Sequence, residues 1–173
     1  DLTYANYFIT QGGTPGNVYA CDTTVNDRMD SRNLAAAMSG AIWFTVLVNV
    51  PAGAGFAGLS FDDTATSGGV DTYSHALSEL RVVLTESALI VDMDGGAPPT
   101  ATGTETGTFT AGTTHLILGQ MIVAAGNDTI NVWVDPDLSA VSGPGDLPAA
   151  NFASTTVPFM DSVAKIGVPL QWN

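Results

Sequence analysis

The chain has 173 residues, enough for one domain with its own core, and at 45% hydrophobic it is too apolar to be globally disordered. Four Lys and Arg stand against 17 Asp and Glu, a formal net charge of −13, so the surface repels phosphate backbones and anionic lipid, and nucleic acid is excluded as a natural partner. One cysteine, Cys21, rules out a disulfide framework within the chain and a thiolate zinc site.

Helix formers such as Glu, Lys, Gln and Arg are scarce while Thr, Val, Gly and Asn abound, a bias towards strands and turns. The chain opens Asp1-Leu2-Thr3 without Met, as it would after removal of a signal peptide or loss of upstream residues. Residues 1–11 are partly apolar through Tyr4, Tyr7, Phe8 and Ile9. Residues 31–38, capped by Ser31 or Asn33 and rich in Ala, form the one helical candidate, about two turns long and marginal without packing. Residues 41–50 make the strongest strand, nearly continuous in hydrophobicity and stopped by Pro51-Ala52-Gly53. A run apolar on both faces is expected in the middle of a covered sheet. The apolar stretch 41–59 carries Thr45, Asn49, Pro51 and three glycines, so it reads as strand and loop and not as a membrane span.

A second strand is expected at 56–61 and a polar loop at 62–71. Residues 80–84 and 88–93 read as a pair joined by Thr85-Glu86-Ser87 and terminated by the Gly95-Gly96-Ala97-Pro98-Pro99 run. Residues 100–110 alternate Thr with Gly or Glu, which fits an exposed edge strand or a loop. Residues 115–123 form another central strand, and a turn at 125–128 leads into 129–135. This is the best hairpin of the chain, with Asn127-Asp128 at its tip and Ile130, Val132 and Val134 on one face of its second arm. The expected core is Trp43, Phe44, Val46, Val48, Leu116, Leu118, Ile122, Ile130, Val132 and Val134. Residues 157–173 end the chain with Val163, Ile166, Val168, Leu170 and Trp172.

No catalytic set is evident. Glu86 with Asp92 and Asp94 is the best carboxylate group, but Glu86 falls in a turn and Asp94 against Gly95-Gly96. His75 and His115 have no nucleophile elbow beside them; His115 reads as a structural histidine and His75 as a loop residue. Gly53, Gly55 and Gly58 imitate a nucleotide-binding fingerprint but open no helix. Fourteen of the 17 acids are Asp, and the pairs Asp62-Asp63, Asp92-Asp94 and Asp135-Asp137 leave calcium open as a ligand, although no calcium-loop signature occurs. No cofactor is assigned. Sugar binding would need an exposed aromatic platform, and Trp133 and Tyr73 are the candidate glycan contacts.

The strings IWFTVLVNVPAGAGFAGLSF and TTHLILGQMIVAAGNDTINVWVDPDLS resemble the LamG-like, concanavalin A-like domains of Planctomycetes and related bacteria. The matching residues are Trp43-Phe44, Thr114-His115, Asp128-Thr129 and the run Trp133-Val134-Asp135-Pro136-Asp137, with Asp30-Ser31-Arg32-Asn33-Leu34 similar to the segment that leads into the first of these strands. The resemblance covers roughly residues 1–140. It implies a two-sheet antiparallel β-sandwich of jelly-roll type, spanning 1–173 as one domain, with little helix. The family's opening aromatic-Asp-Tyr strand and closing D-E-I-R-I-G strand are not evident here. That departure implies a missing edge, filled by the chain's own terminal segments or by strand addition from a neighbour, with assembly the favoured outcome.

These readings lead to a secreted or periplasmic cell-surface protein without catalytic activity, a structural or interaction module. Its expected partners are other protein subunits, a second copy of itself among them. The alternative is a carbohydrate-binding lectin-like domain.

Overall fold

The computed structural model describes residues 28–53, 55–62, 79–94, 100–106, 109–124, 128–157 and 162–171. Ten strands run through them: β1 (Arg28–Met38), β2 (Gly40–Asn49), β3 (Phe56–Asp62), β4 (Glu79–Leu84), β5 (Ala88–Asp94), β6 (Thr100–Thr106), β7 (Thr114–Val123), β8 (Asp128–Val134), β9 (Phe152–Val157) and β10 (Val163–Gln171). The one helical element among the described residues is a 3-10 turn at Pro144–Asp146. The strands form two antiparallel sheets, six-stranded in the order β1-β10-β3-β4-β5-β6 and four-stranded in the order β2-β7-β8-β9. The molecule is an all-β two-sheet sandwich.

The expected hairpin is present, with β7 pairing β8 from Ile117 opposite Val134 to Ile122 opposite Thr129. Asp128 opens β8, while Asn127 at the expected tip lies outside the described residues. The pair β4–β5 forms as the sequence suggests. Its turn is tied by Thr85, whose hydroxyl accepts the Ala88 N–H at 2.9 Å while its own N–H donates to the Ala88 carbonyl at 2.8 Å. Strand β6 lies at the outer edge of the six-stranded sheet, in keeping with its Thr-rich alternation.

Three expectations are corrected. Residues 31–38 are not helical but belong to β1, which pairs with β10 from Arg28 opposite Leu170 to Met38 opposite Val163. Alanine favours helix only weakly, and pairing with β10 on both sides of an irregular stretch between Asn33 and Met38 outweighs it. Second, the apolar strand β2 is an edge strand of the smaller sheet, and its outer row is open. The strand buried on both faces is β4, where Leu80, Arg81, Val82, Val83 and Leu84 are all buried. Third, β7 presents the opposite face to the core: Ile117, Met121 and Val123 point in, and Leu116, Leu118 and Ile122 point out. Of the two places the sequence left open for the closing segment, β10 takes the one within this chain's own sandwich. Strand β10 sits between β1 and β3 in its own sheet, so first and last described strands close the sandwich together. Residues 1–11 lie outside the described residues.

The core lies between the sheets. Phe61, Leu80, Val82, Leu84, Leu89, Val91 and Val163 of the larger sheet meet Ile42, Val48, Ile117, Met121, Val123, Ile130, Val132, Val134 and Phe152 of the smaller. Phe44 on β2 reaches across to Phe61 on β3, ring centroids 4.8 Å apart, within the range where aromatic pairs attract. Gly40, at φ 76°, stands where the chain leaves β1 in one sheet and enters β2 in the other. A residue without Cβ adopts that left-handed geometry at no steric cost.

Candidate functional site

Strand alternation sends every second residue of β2, β7 and β8 away from the core, and these residues tile the outer face of the four-stranded sheet. Across one row Trp43 pairs with Gln120 and Gln120 with Asn131; in the next, Thr45 pairs with Leu118 and Leu118 with Trp133. Trp43 and Trp133 lie on either side of β7 and stack over it, ring centroids 6.1 Å apart and planes 15° from parallel. Beside them the Asn131 amide donates to the Gln120 side-chain oxygen at 3.2 Å.

The face grades from open to covered. Trp43 and Ile122 are each 40% exposed, the large hydrophobics most open to solvent among the described residues, whereas Trp133 keeps only 7% and Leu116 none. The covering element is the connection between β8 and β9. Its Pro148 carbonyl accepts the Trp133 indole N–H at 2.8 Å, and its Asn151 side-chain oxygen accepts the Val134 N–H at 2.7 Å. Internal turns hold this connection in shape. The Asp146 carboxylate accepts the Ser142 and Gly143 N–H groups at 2.9 and 3.0 Å, and Asp137 accepts the Ser139 N–H at 2.9 Å. The Ser139 hydroxyl and N–H hold the Asp137 carboxyl below the usual carboxylate range.

The covered end is locked by His115 and Asp135. Asp135 sits at φ 51°, a strained position for a residue with a side chain. Its carboxylate accepts the Leu116 N–H at 2.9 Å and meets His115 Nδ1 at 2.6 Å, and its own N–H donates to the Leu116 carbonyl at 2.9 Å. His115 Nε2 faces the Thr110 carbonyl at 3.3 Å, and the Phe109 ring packs edge-on against the imidazole. Both ring nitrogens are therefore engaged, and the histidine ties the start of β7 to the end of β8.

The other sequence candidates are scattered. Glu86 is exposed in the β4–β5 turn and accepts the Gly53 N–H at 3.1 Å, while Asp92 and Asp94 lie along β5 towards its other end. Asp62 is buried beside Lys165, and Asp135 and Asp137 spend carboxylate oxygens on the protein's own N–H groups. Among the described residues no three His, Cys, Asp or Glu gather as a metal site. Tyr73, Cys21, His75 and Asp63 lie outside the described residues.

Of the two candidate glycan contacts, Trp133 is thus placed on this face but largely beneath the β8–β9 connection. Among the described residues the exposed indole is that of Trp43, which sequence reasoning assigned to the core. A usable signal was present: Trp43 shares its alternation row with Thr45 and Asn49, and Ile122 shares its row with Gln120 and Thr114, whereas the opposite rows carry Ile42, Phe44, Val46 and Val48, or Ile117, Met121 and Val123. Neither the family models nor the curated proteins searched contain a match to this chain.

Proposed function

We propose that this protein is a non-catalytic structural or interaction module of a bacterial extracellular or cell-surface assembly, and that it engages its partner through the outer face of the four-stranded sheet. The carrying observation is Trp43, 40% exposed and stacked on Trp133, with Ile122 equally exposed on the same face. Tryptophan is enriched among residues that dominate binding energy, and a rigid, pre-stacked indole loses little freedom on docking. His115 and Glu86 of the sequence's catalytic shortlist make hydrogen bonds within the protein, which supports a binding role over chemistry. The extracellular setting rests on the Lys-poor, Thr- and Gly-rich composition. The LamG-like, concanavalin A-like reading rests on the Trp43-Phe44 and Trp133-Val134-Asp135-Pro136-Asp137 motifs. Fold alone would not supply the function.

A second reading, a carbohydrate-binding domain, is favoured by one feature: the Gln120–Asn131 amide pair lies beside the stacked indoles. Polar groups next to an aromatic platform suit a sugar ring.

The two readings separate on Trp43→Ala. Loss of its stacking costs roughly 0.5–1.5 kcal/mol, so the variant keeps its fold. Trp133→Ala removes a buried ring and costs about 3–5 kcal/mol, so it cannot report on binding alone. Light scattering over a concentration series and a glycan array are the two measurements. Under the assembly reading the wild type self-associates or retains a protein partner, and Trp43→Ala does not. Under the lectin reading, array binding disappears in Trp43→Ala while the protein stays monomeric. A wild type that is monomeric throughout and retains neither protein nor glycan removes the support for this face.

A further inference from the structure

Lys165 is the sole lysine of the chain. It lies on β10 directly opposite Asp62 of β3, its Nζ 3.7 Å from Asp62 Oδ2, with side-chain exposures of 6% and 7%. The pair belongs to the outward row of the six-stranded sheet, where Ser60 and Arg81 are buried as well. An amine and a carboxyl fixed side by side on neighbouring strands, away from water, are the two halves of an amide. We propose that Lys165 and Asp62 condense into an intramolecular isopeptide bond that staples β10 to β3.

The reaction balances without any co-reactant. In the course of the step one proton passes from the ammonium to the carboxylate, leaving an amine nucleophile beside a carboxylic acid. The Nζ lone pair attacks Asp62 Cγ, the Nζ–Cγ bond forms and the bond from Cγ to the hydroxyl oxygen breaks. The hydroxyl leaves as water, taking one amine proton with it. The sheet supplies what amide formation lacks in solution: two partners held in register, so that the step is effectively unimolecular, and a buried setting from which the released water departs. The product joins residues far apart in sequence and restricts the unfolded chain as a disulfide would. Cys21 cannot supply such a link within this chain, because a disulfide needs two cysteines. The inference is independent of the proposed binding face, which lies on the other sheet.

Intact mass spectrometry of the purified, denatured 173-residue chain tests it. The expected mass is that of the sequence less one water, and Lys165→Arg returns the full sequence mass. Asp62→Asn, which offers an amide leaving group, is expected to lose one ammonia instead. A wild type at full sequence mass overturns the proposal. So does a one-water deficit that persists in Lys165→Arg, which would place the loss at an aspartate imide. Should the variants fail to fold, fragment mapping of the wild type decides: a branched peptide joining Lys165 to Asp62 supports the bond, and its absence overturns it.

Discussion

Gly119 faces Phe44 across the β2–β7 pair, and a Cβ built at this glycine would lie 1.9 Å from the Phe44 ring. The ring therefore fills the space that a side chain at 119 would take, and it passes the contact on to Phe61 in the other sheet. Gly119→Ala forces Phe44 out of this seat. Overpacking of this kind costs about 1–3 kcal/mol, read as a lowered denaturation midpoint with an unchanged slope. A midpoint equal to wild type would mean that the ring is free to move aside. At Asp135 two costs can be told apart. Asp135→Asn keeps a side-chain oxygen for the Leu116 N–H and tolerates the left-handed backbone. Asp135→Ala keeps the backbone strain and strands both the Leu116 N–H and His115 without this partner, a loss of roughly 1–3 kcal/mol. Asn is accordingly expected to be the milder change by chemical denaturation, and the reverse order would show that the carboxylate's charge outweighs its geometry.

Among the elements, β10 changes meaning most between sequence and structure. Read as a string, Val163, Ile166, Val168 and Leu170 form an apolar tail that could serve any sheet. In the fold they lie on a strand flanked by β1 and β3. Deleting residues 163–173 is thus expected to abolish the cooperative unfolding transition, because it empties an interior position and exposes two edges at once. A folded, truncated monomer would show that β1 can pair directly with β3. The hairpin β7–β8, the turn at Thr85 and the edge character of β6 were legible because each is decided locally, by alternation or by turn chemistry. The facing of β7 was marked only by Thr114 and Gln120 on its outer row. Leu116 and Ile117 are both apolar, and which row points inward depends on Gly119 making room for Phe44 of another strand. Likewise residues 31–38 are strand because β10 pairs with them at 31–33 and again at Met38. The proposed binding face shared this difficulty: Trp133 reads as a core residue or an exposed platform until the β8–β9 connection is seen to fold over it.

At the scale of the whole molecule, charge and architecture divide the sandwich. All four basic residues, Arg28, Arg32, Arg81 and Lys165, lie on strands of the six-stranded sheet, so the four-stranded sheet and every connection carry no Lys or Arg. That placement has a consequence for digestion. Trypsin-like proteases need a basic residue in a segment that can leave the fold and lie extended in their cleft, and here each such residue is held in a hydrogen-bonded ladder. Cleavage after Arg28 or Arg32 requires only the fraying of edge strand β1, whereas cleavage after Arg81 requires the centre of the sheet to open. In a time course, β1 should be trimmed first and Arg81 should be cut no faster than the sandwich opens, with added denaturant accelerating both. Immediate cutting at Arg81 in native buffer would contradict the placement of β4. A chain in which every tryptic site is locked into one sheet resists that class of protease for as long as the sheet holds.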